Sequence, residues 1–246
     1  MRDGLSTAIG LTRSLIVYYG MPWRRRGLTR LYAGLIRKGD LVFDIGAHVG
    51  SRTRTLHGLG AHVVAVEPQP LFARLLRRTL PGDRIDFVEK AIGRSPGTAR
   101  LRISRRHPTV STLSSDWIER VGGTKAFGGV SWDEEVEVEV TTLDHLIETF
   151  GRPAFCKIDV EGLEAEILAG LSQPLPLLAF EYLAEAPEVA RACVARLEEL
   201  GRYRFNLVVG EGGGLRSAEW IEGGAVLAEI ARIGCSGDIY ARLESG

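Results

Sequence analysis

Two apolar runs that each stop on an acid constrain this chain most. The first is Val42-Phe43-Asp44-Ile45-Gly46-Ala47-His48-Val49-Gly50, and the second is Val63-Val64-Ala65-Val66-Glu67-Pro68. Short runs that are apolar at nearly every position suit strands covered on both faces, as in a parallel sheet. The glycines after Asp44 mark a tight turn, and Ser51 onward reads as a helix leading to the second run. Strand, glycine turn, helix and strand make the unit of a doubly wound α/β fold, which binds ligands at the carboxyl ends of its strands. Gly46 lets the backbone turn and approach a ligand. Glu67, about 21 residues later, stands where an acid accepts hydrogen bonds from ribose hydroxyls.

The details favour one kind of ligand. A dinucleotide site needs G-x-G-x-x-G so that helix amides reach a pyrophosphate. Here the glycines read Gly46-x-x-x-Gly50. Asp44 at the strand tip would repel a diphosphate and suits a cationic ligand. S-adenosylmethionine offers a sulfonium, an ammonium and a ribose without phosphate, so this is read as a methyl-donor site. The plainer alternative is an ordinary strand-to-helix turn carrying a surface acid.

From residue 40 onward strand and helix patterns alternate. Strands are predicted near 41–45, 62–66, 84–88, 154–158, 176–181, 203–209 and 237–243. Helices are predicted near 50–58, 70–79, 161–170, 186–200 and 218–233. The expected fold is therefore a doubly wound, Rossmann-like α/β fold: a seven-stranded sheet with helices on both faces. One methyltransferase-type domain is expected over 40–246, with residues 1–39 as an N-terminal helical extension. An insertion over about 94–140 interrupts the alternation. Within it Thr98–Ile103 and Glu135–Val140 alternate apolar and non-apolar residues and could pair as a ribbon. The polar stretch His107-Pro108-Thr109-Val110-Ser111-Thr112-Leu113 and the glycines after Val121 lie between them. This segment reads as a flap near the substrate pocket. In the extension, Leu5 to Tyr19 is interrupted by Arg13 and too short to span a bilayer. It reads as a packed helix, followed by a cleaner stripe at Leu28, Leu31, Tyr32, Leu35 and Ile36.

The 31 basic residues balance the 31 acidic ones, so net charge makes no case for nucleic acid as the main partner. Arginines cluster at Arg24–Arg26, at Arg74, Arg77 and Arg78, and at Arg105 and Arg106. They read as solvated helix faces or as a surface for an anionic partner. Cys156, Cys193 and Cys235 are few and scattered, which argues against a disulfide framework or a zinc site. A cytoplasmic location is the default expectation, and the sequence specifies no oligomeric state.

A second acidic group lies in Phe155-Cys156-Lys157-Ile158-Asp159-Val160-Glu161-Gly162-Leu163-Glu164. In a doubly wound sheet this strand would neighbour the first and face the same crevice. Asp159 and Glu161, two residues apart, would point the same way on extended backbone. They are candidates for the base that takes a hydroxyl proton. Glu181, at the end of Leu177-Leu178-Ala179-Phe180-Glu181, reaches the same sheet edge and is a third catalytic candidate. The plainer readings are helix-start acids for Glu161 and Glu164 and a solvated strand end for Glu181. These acids could supply oxygens to a divalent cation, but no spacing selects one, and no metal is assigned. His107 is a weaker base candidate. His48 reads as helix-start packing, and His145 as structural.

Taken together these segments resemble the FkbM-type methyltransferases. The resemblance rests on the Asp44–Gly50 motif, Val66-Glu67-Pro68, Thr142-Leu143-Asp144, Lys157-Ile158-Asp159-Val160-Glu161-Gly162-Leu163-Glu164, Glu181, and Gly237-Asp238-Ile239-Tyr240-Ala241-Arg242. It covers roughly residues 40–243. It implies the methyltransferase plan, in which the last strand inserts antiparallel beside its predecessor. It also implies S-adenosylmethionine as cofactor, O-methylation of hydroxyls on sugars or natural products, and cofactor roles for Asp44, Gly46, Gly50 and Glu67; Ala47, His48 and Pro68, in the same two segments, are further cofactor-binding candidates. Ala91 would lie near the adenine. The family often carries asparagine where this chain has His48. N-methylation of an amine, a nicotinamide-dependent oxidoreductase and a non-catalytic binding module stand as alternatives.

Overall fold

The computed structural model describes residues 22–80, 82–107, 111–121, 129–210 and 213–244. The chain begins with α1 (Pro22–Ala33), β1 (Leu41–Ile45), α2 (Ser51–Gly58), β2 (His62–Val66), α3 (Pro70–Thr79) and β3 (Ile85–Val88). It continues through β4 (Ala91–Ile92), β5 (Gly97–Ile103), α4 (Ser115–Val121), β6 (Glu134–Thr141), α5 (Leu143–Phe150), β7 (Phe155–Ile158) and α6 (Glu164–Ala169). It ends with β8 (Leu177–Tyr182), α7 (Pro187–Leu200), β9 (Tyr203–Val209), α8 (Gly223–Ile233) and β10 (Gly237–Leu243).

Seven strands form one sheet in the order β3-β2-β1-β7-β8-β10-β9. β1 pairs in parallel with β2 and β7, and β10 runs antiparallel between β8 and β9. All seven predicted strands form, each within about one residue of its expected bounds. Strand residues divide between the two faces with period two. Phe43, Ile45, Val64, Val66, Cys156, Ile158, Leu178 and Phe180 pack against Leu146 of α5, Leu168 of α6, Val194 of α7 and Ile230 of α8. Val42, Val63, Phe155, Ala179 and Tyr240 pack on the other face against Leu31, Tyr32 and Leu56 of α1 and α2. Leu31 and Tyr32 thus use the apolar stripe read from the sequence. The helix proposed over Leu5–Tyr19 lies outside the described residues.

Two helices are shorter than expected, each for a local reason. The helix expected over 161–170 starts at Glu164, because Glu161 and Gly162 both have left-handed backbone, φ 56° and 97°. The helix expected over 218–233 starts at Gly223, because Ile221 exchanges backbone hydrogen bonds with Phe205 of β9. Between β3 and β7, β5 and β6 pair antiparallel, with Thr98 opposite Glu139 and Ile103 opposite Glu134. The two-residue β4, which periodicity did not suggest, joins β6 in parallel and completes a three-stranded sheet. Of the glycine-rich stretch, residues 122–125 lie outside the described residues. Thr142 caps α5 by accepting the His145 amide at 3.1 Å, so His145 lies in the first turn of the helix. Of the arginine clusters, Arg105 pairs with Glu134 at 3.0 Å and Arg77 with Glu89 at 3.8 Å. Among the described residues no helix is long and apolar enough to cross a membrane.

Candidate functional site

The chain leaves β1 toward β2 on one side and later returns to β7 on the other, so a crevice opens at the carboxyl ends of these strands. Gly46, His48, Glu67, Pro68, Ala91 and Asp159 line it, with Ile45, Val66, Ile92, Val160 and Leu163 as apolar wall. Leu101, Ser111, Thr112 and Leu113 of the inserted segment close one side. Thr112 is fixed there by paired backbone bonds with Arg102 and by its hydroxyl, which donates to the Glu161 carbonyl at 2.8 Å. Three expected cofactor residues, Asp44, Ala47 and Gly50, lie beside the cleft rather than on its wall. Ala47 belongs to an apolar cluster with Leu76 and Leu80, and Gly50 caps the start of α2.

The turn after β1 is tight because Gly46 sits against β7. Its φ is 81°, and a Cβ there would overlap the Asp159 carbonyl oxygen. The amides of Gly46 and Ala47 both donate to the Val66 carbonyl, at 2.9 and 3.0 Å. His48 is not the first residue of a helix. It has φ 49°, its amide donates to Glu67 Oε2 at 2.8 Å, and its ring lies 6.1 Å from that of Phe72. Burial lowers the proton affinity of its imidazole.

Glu67 is held by two backbone amides, those of His48 and Gln69, each 2.8 Å from one carboxylate oxygen. Burial pushes its carboxyl up to about 7 from 4.5, against the pull of those two donors. An ionised carboxylate offers about four acceptor positions. Two remain for a vicinal diol such as a ribose. Asp44 is fully buried and accepts the Thr53 hydroxyl at 2.5 Å, while its Oδ1 has no partner among the described residues. Burial raises its pKa, and Thr53, Arg52 and Lys157 lower it. A carboxylate with two acceptor positions left and an acidic strand tip suit a ribose-bearing, positively charged cofactor.

Asp159 extends β7, its amide donating to the Ile45 carbonyl at 3.0 Å. Its Oδ2 lies 2.7 Å from Arg52 Nη1 and 3.6 Å from Lys157 Nζ. Burial opposes ionisation, but Lys157 and Arg52 outweigh it and hold the carboxyl well below its usual range. The left-handed backbone at Glu161 breaks the extended run that would have aimed Asp159 and Glu161 the same way. Ile158 of β7 pairs with Phe180 of β8, so Asp159 and Glu181 follow at one level of the sheet. Glu181 lines a neighbouring cavity with Trp117, Gly162, Glu164, Leu183, Ala186 and Val189. Glu161 and Glu181 are both partly buried, and burial followed by the negative charge of Asp159 pushes each carboxyl well above 4.5. Glu164 rises to about 7 through burial, although the Val160 and Gly162 amides donate to it at 3.3 Å.

Sequence reasoning did not single out Arg52, Lys157, Thr112 or Trp117. Only Lys157 carried a signal, as a charge inside a wholly apolar strand. Trp117 lies over Gly162 so closely that a Cβ there would overlap its ring. Among the described residues, no three His, Cys, Asp or Glu side chains are arranged to hold a metal ion.

These pKa shifts predict how stability varies with pH. Unfolded Glu67 and Glu164 release protons near 4.5, whereas the folded groups hold theirs to about 7. Across that interval the folded state binds more protons, so stability falls as pH rises. The midpoint of thermal unfolding should therefore drop between about pH 5 and about pH 7.5, and Glu67→Gln should flatten part of the slope. A midpoint that rises over this range contradicts the buried-acid assignment.

The methyltransferase FkbM domain model matches residues 44–217. The hexuronic acid methyltransferase AglP of Haloferax volcanii is 27% identical over 169 residues, covering 64% of this chain and 63% of that protein. A probable ribosomal RNA small subunit methyltransferase A of Methanothermobacter thermautotrophicus is 35% identical over 80 residues, covering 32% of this chain and 29% of that protein. The chain thus spans less than two thirds of either curated relative. The crystal structure of precorrin-6y C5,15-methyltransferase from Geobacter metallireducens aligns with TM-score 0.46 and 14% identity, covering 90% of this chain and 87% of that one. The chain belongs to the FkbM family of S-adenosylmethionine-dependent methyltransferases.

Proposed function

We propose, from membership of that family, that this protein methylates a hydroxyl group of a sugar or a sugar-like small molecule. The observation that carries the reading is the pair of partly buried acids, Glu161 and Glu181, beside a crevice whose wall carries Glu67 and Asp159. An alcohol is too weak a nucleophile to accept a methyl group without giving up its proton, and a carboxylate of raised pKa is a suitable acceptor. S-adenosylmethionine, when bound, supplies a methyl group on a positively charged sulfur. Glu67 holds the ribose diol through its two remaining acceptor positions. Asp159 and Asp44 favour a cationic ligand by their charge.

Asp159 is a poor choice for the base. Its carboxylate is held ionised by Arg52 and Lys157 and takes up a proton reluctantly. Glu161 or Glu181, in its ionised form, takes the hydroxyl proton as the acceptor oxygen gains the methyl carbon and the sulfur keeps the bonding pair. Thr112 and its neighbours act as the flap that shields this exchange from water. Sugar as the acceptor class is supported by the likeness to a hexuronic acid methyltransferase. The balanced net charge favours a small acceptor over a nucleic acid. The exposed free thiol of Cys235 suits a reducing compartment, and we place the protein in the cytoplasm.

The test is methyl transfer from isotopically labelled S-adenosylmethionine to a panel of monosaccharides, oligosaccharides, amines and RNA. Label recovered as a sugar methyl ether is the expected result. Label on nitrogen alone, or on RNA alone, by a protein that binds S-adenosylhomocysteine would sink the O-methylation reading.

A further inference from the structure

We propose that Lys157 is a positioning residue for methyl transfer, holding Asp159 as a fixed negative charge at the wall of the cofactor cleft. The inference rests on reading that cleft as the S-adenosylmethionine site. Lys157 sits inside the strand Phe155-Cys156-Lys157-Ile158, where every residue is buried, and its own side chain is wholly inaccessible. Its ammonium lies 3.6 Å from Asp159 Oδ2, 3.0 Å from Asp238 Oδ1 of β10 and 3.1 Å from the Ile158 carbonyl. These contacts tie the antiparallel strand β10 to the cleft.

A buried charge is an expensive way to fill a strand. Replacing a buried ion pair with apolar residues of similar volume is often neutral or stabilising. Methionine in place of lysine would pack a strand of this kind without desolvating a cation. The function the geometry offers is electrostatic. Asp159 is the group of this network that lines the cleft, and both Lys157 and Arg52 engage its Oδ2. Among the described residues, the other charged or titratable groups around it include Asp44 on β1, Tyr32 on α1, Cys156 beside it on β7, Asp238 on β10, His48 in the turn, and Glu161, Glu164 and Glu181 at the adjoining strand ends. Most of these are acidic. Without Lys157, a single cation, Arg52, would have to keep Asp159 ionised against burial and its acidic neighbours.

The experiment compares S-adenosylmethionine with S-adenosylhomocysteine, which lacks the sulfonium charge. Their affinity ratio cancels the contribution of Glu67, because both ligands carry the same ribose. Glu67, Glu161 and Glu181 take up protons over this range in both proteins, so the ratio in the variant is read against the wild-type ratio at each pH from about 8 to about 5. In Lys157→Met it should fall about tenfold toward the acid end as Asp159 takes up a proton. A folded Lys157→Met protein with the wild-type ratio at every pH overturns the proposal, since a purely structural lysine would weaken both ligands alike. Should that variant not fold, Lys157→Met/Asp238→Asn removes both buried charges together. The same directional fall is expected there, and a constant ratio is equally fatal. Failure of the underlying cleft assignment reads differently: Glu67→Ala would then leave the affinity for S-adenosylhomocysteine unchanged.

Discussion

Glu161→Gln/Glu181→Gln should lower kcat about 10²- to 10⁴-fold, the usual worth of a positioned general base. Affinity for S-adenosylhomocysteine should change by less than about threefold, because neither residue lines the cofactor crevice. The two acids are changed together because they stand at the ends of adjacent strands, where either could take the proton. Glu161 raises the proton affinity of Glu181, so losing Glu161 would leave Glu181 a weaker base in its place. Single variants should accordingly lose less than the pair. Activity has a pH signature as well. The base must be ionised to act, and burial and negative neighbours lift both carboxyls well above 4.5. Wild-type kcat should fall as pH drops through that raised value, and the double variant should lose this limb. If the double variant keeps wild-type kcat on its best acceptor, the carboxylates are not the base. An amine acceptor would produce that outcome, since a neutral amine can attack before losing its proton.

The frame of the site was legible because strands buried on both faces leave an unbroken apolar signature. Val42 to Ile45 and Val63 to Val66 could be read as neighbours at the centre of a sheet, and they pair in register from Val42↔Val63 to Ile45↔Val66. The acids that end these runs were legible for the complementary reason: a carboxylate after an apolar strand marks the sheet edge. What lay beyond sequence reasoning were contacts joining distant segments. Arg52 follows a glycine turn in a helix whose pattern looks ordinary, and its role depends on Asp159, 107 positions later, standing 2.7 Å away. Trp117 lies in a segment without strong periodicity and matters only because Gly162 comes beneath it. The conformation of Glu161 was also hidden. Nothing in its residue type marks left-handed backbone, and its neighbours suit a regular helix start. Asp159 shows the same limit in its chemistry. Its place at a strand end was readable, whereas its weakness as a base follows from Lys157 and Arg52, which fold in around it.

Gly46→Ala should be the most damaging glycine-to-alanine substitution among the described residues, with losses in both stability and binding. Two costs combine. At φ 81° an L-residue pays about 1–2 kcal/mol for left-handed backbone. The added Cβ also overlaps the Asp159 carbonyl oxygen, a backbone atom that cannot rotate aside as a side chain can. Relief requires the end of β7 to move away from β1, which breaks the bond from the Asp159 amide to the Ile45 carbonyl, 3.0 Å in the native fold. Overpacking of this kind costs about 1–3 kcal/mol beyond the backbone term. The thermal midpoint should fall roughly 10 °C for a chain of this size. Moving β7 also draws Asp159 away from Arg52 of α2 and displaces the wall of the cleft. Affinity for S-adenosylhomocysteine should therefore drop at least about a hundredfold, or about 2.7 kcal/mol. Gly39→Ala supplies the control, since Gly39 has φ 90° but no atom within 4 Å of where its Cβ would lie. That variant should lose only the backbone term and keep its affinity, so the difference between the two isolates the close approach of the strands. If the two variants are equally stable and bind equally well, the closeness of the first turn to β7 does not build the site.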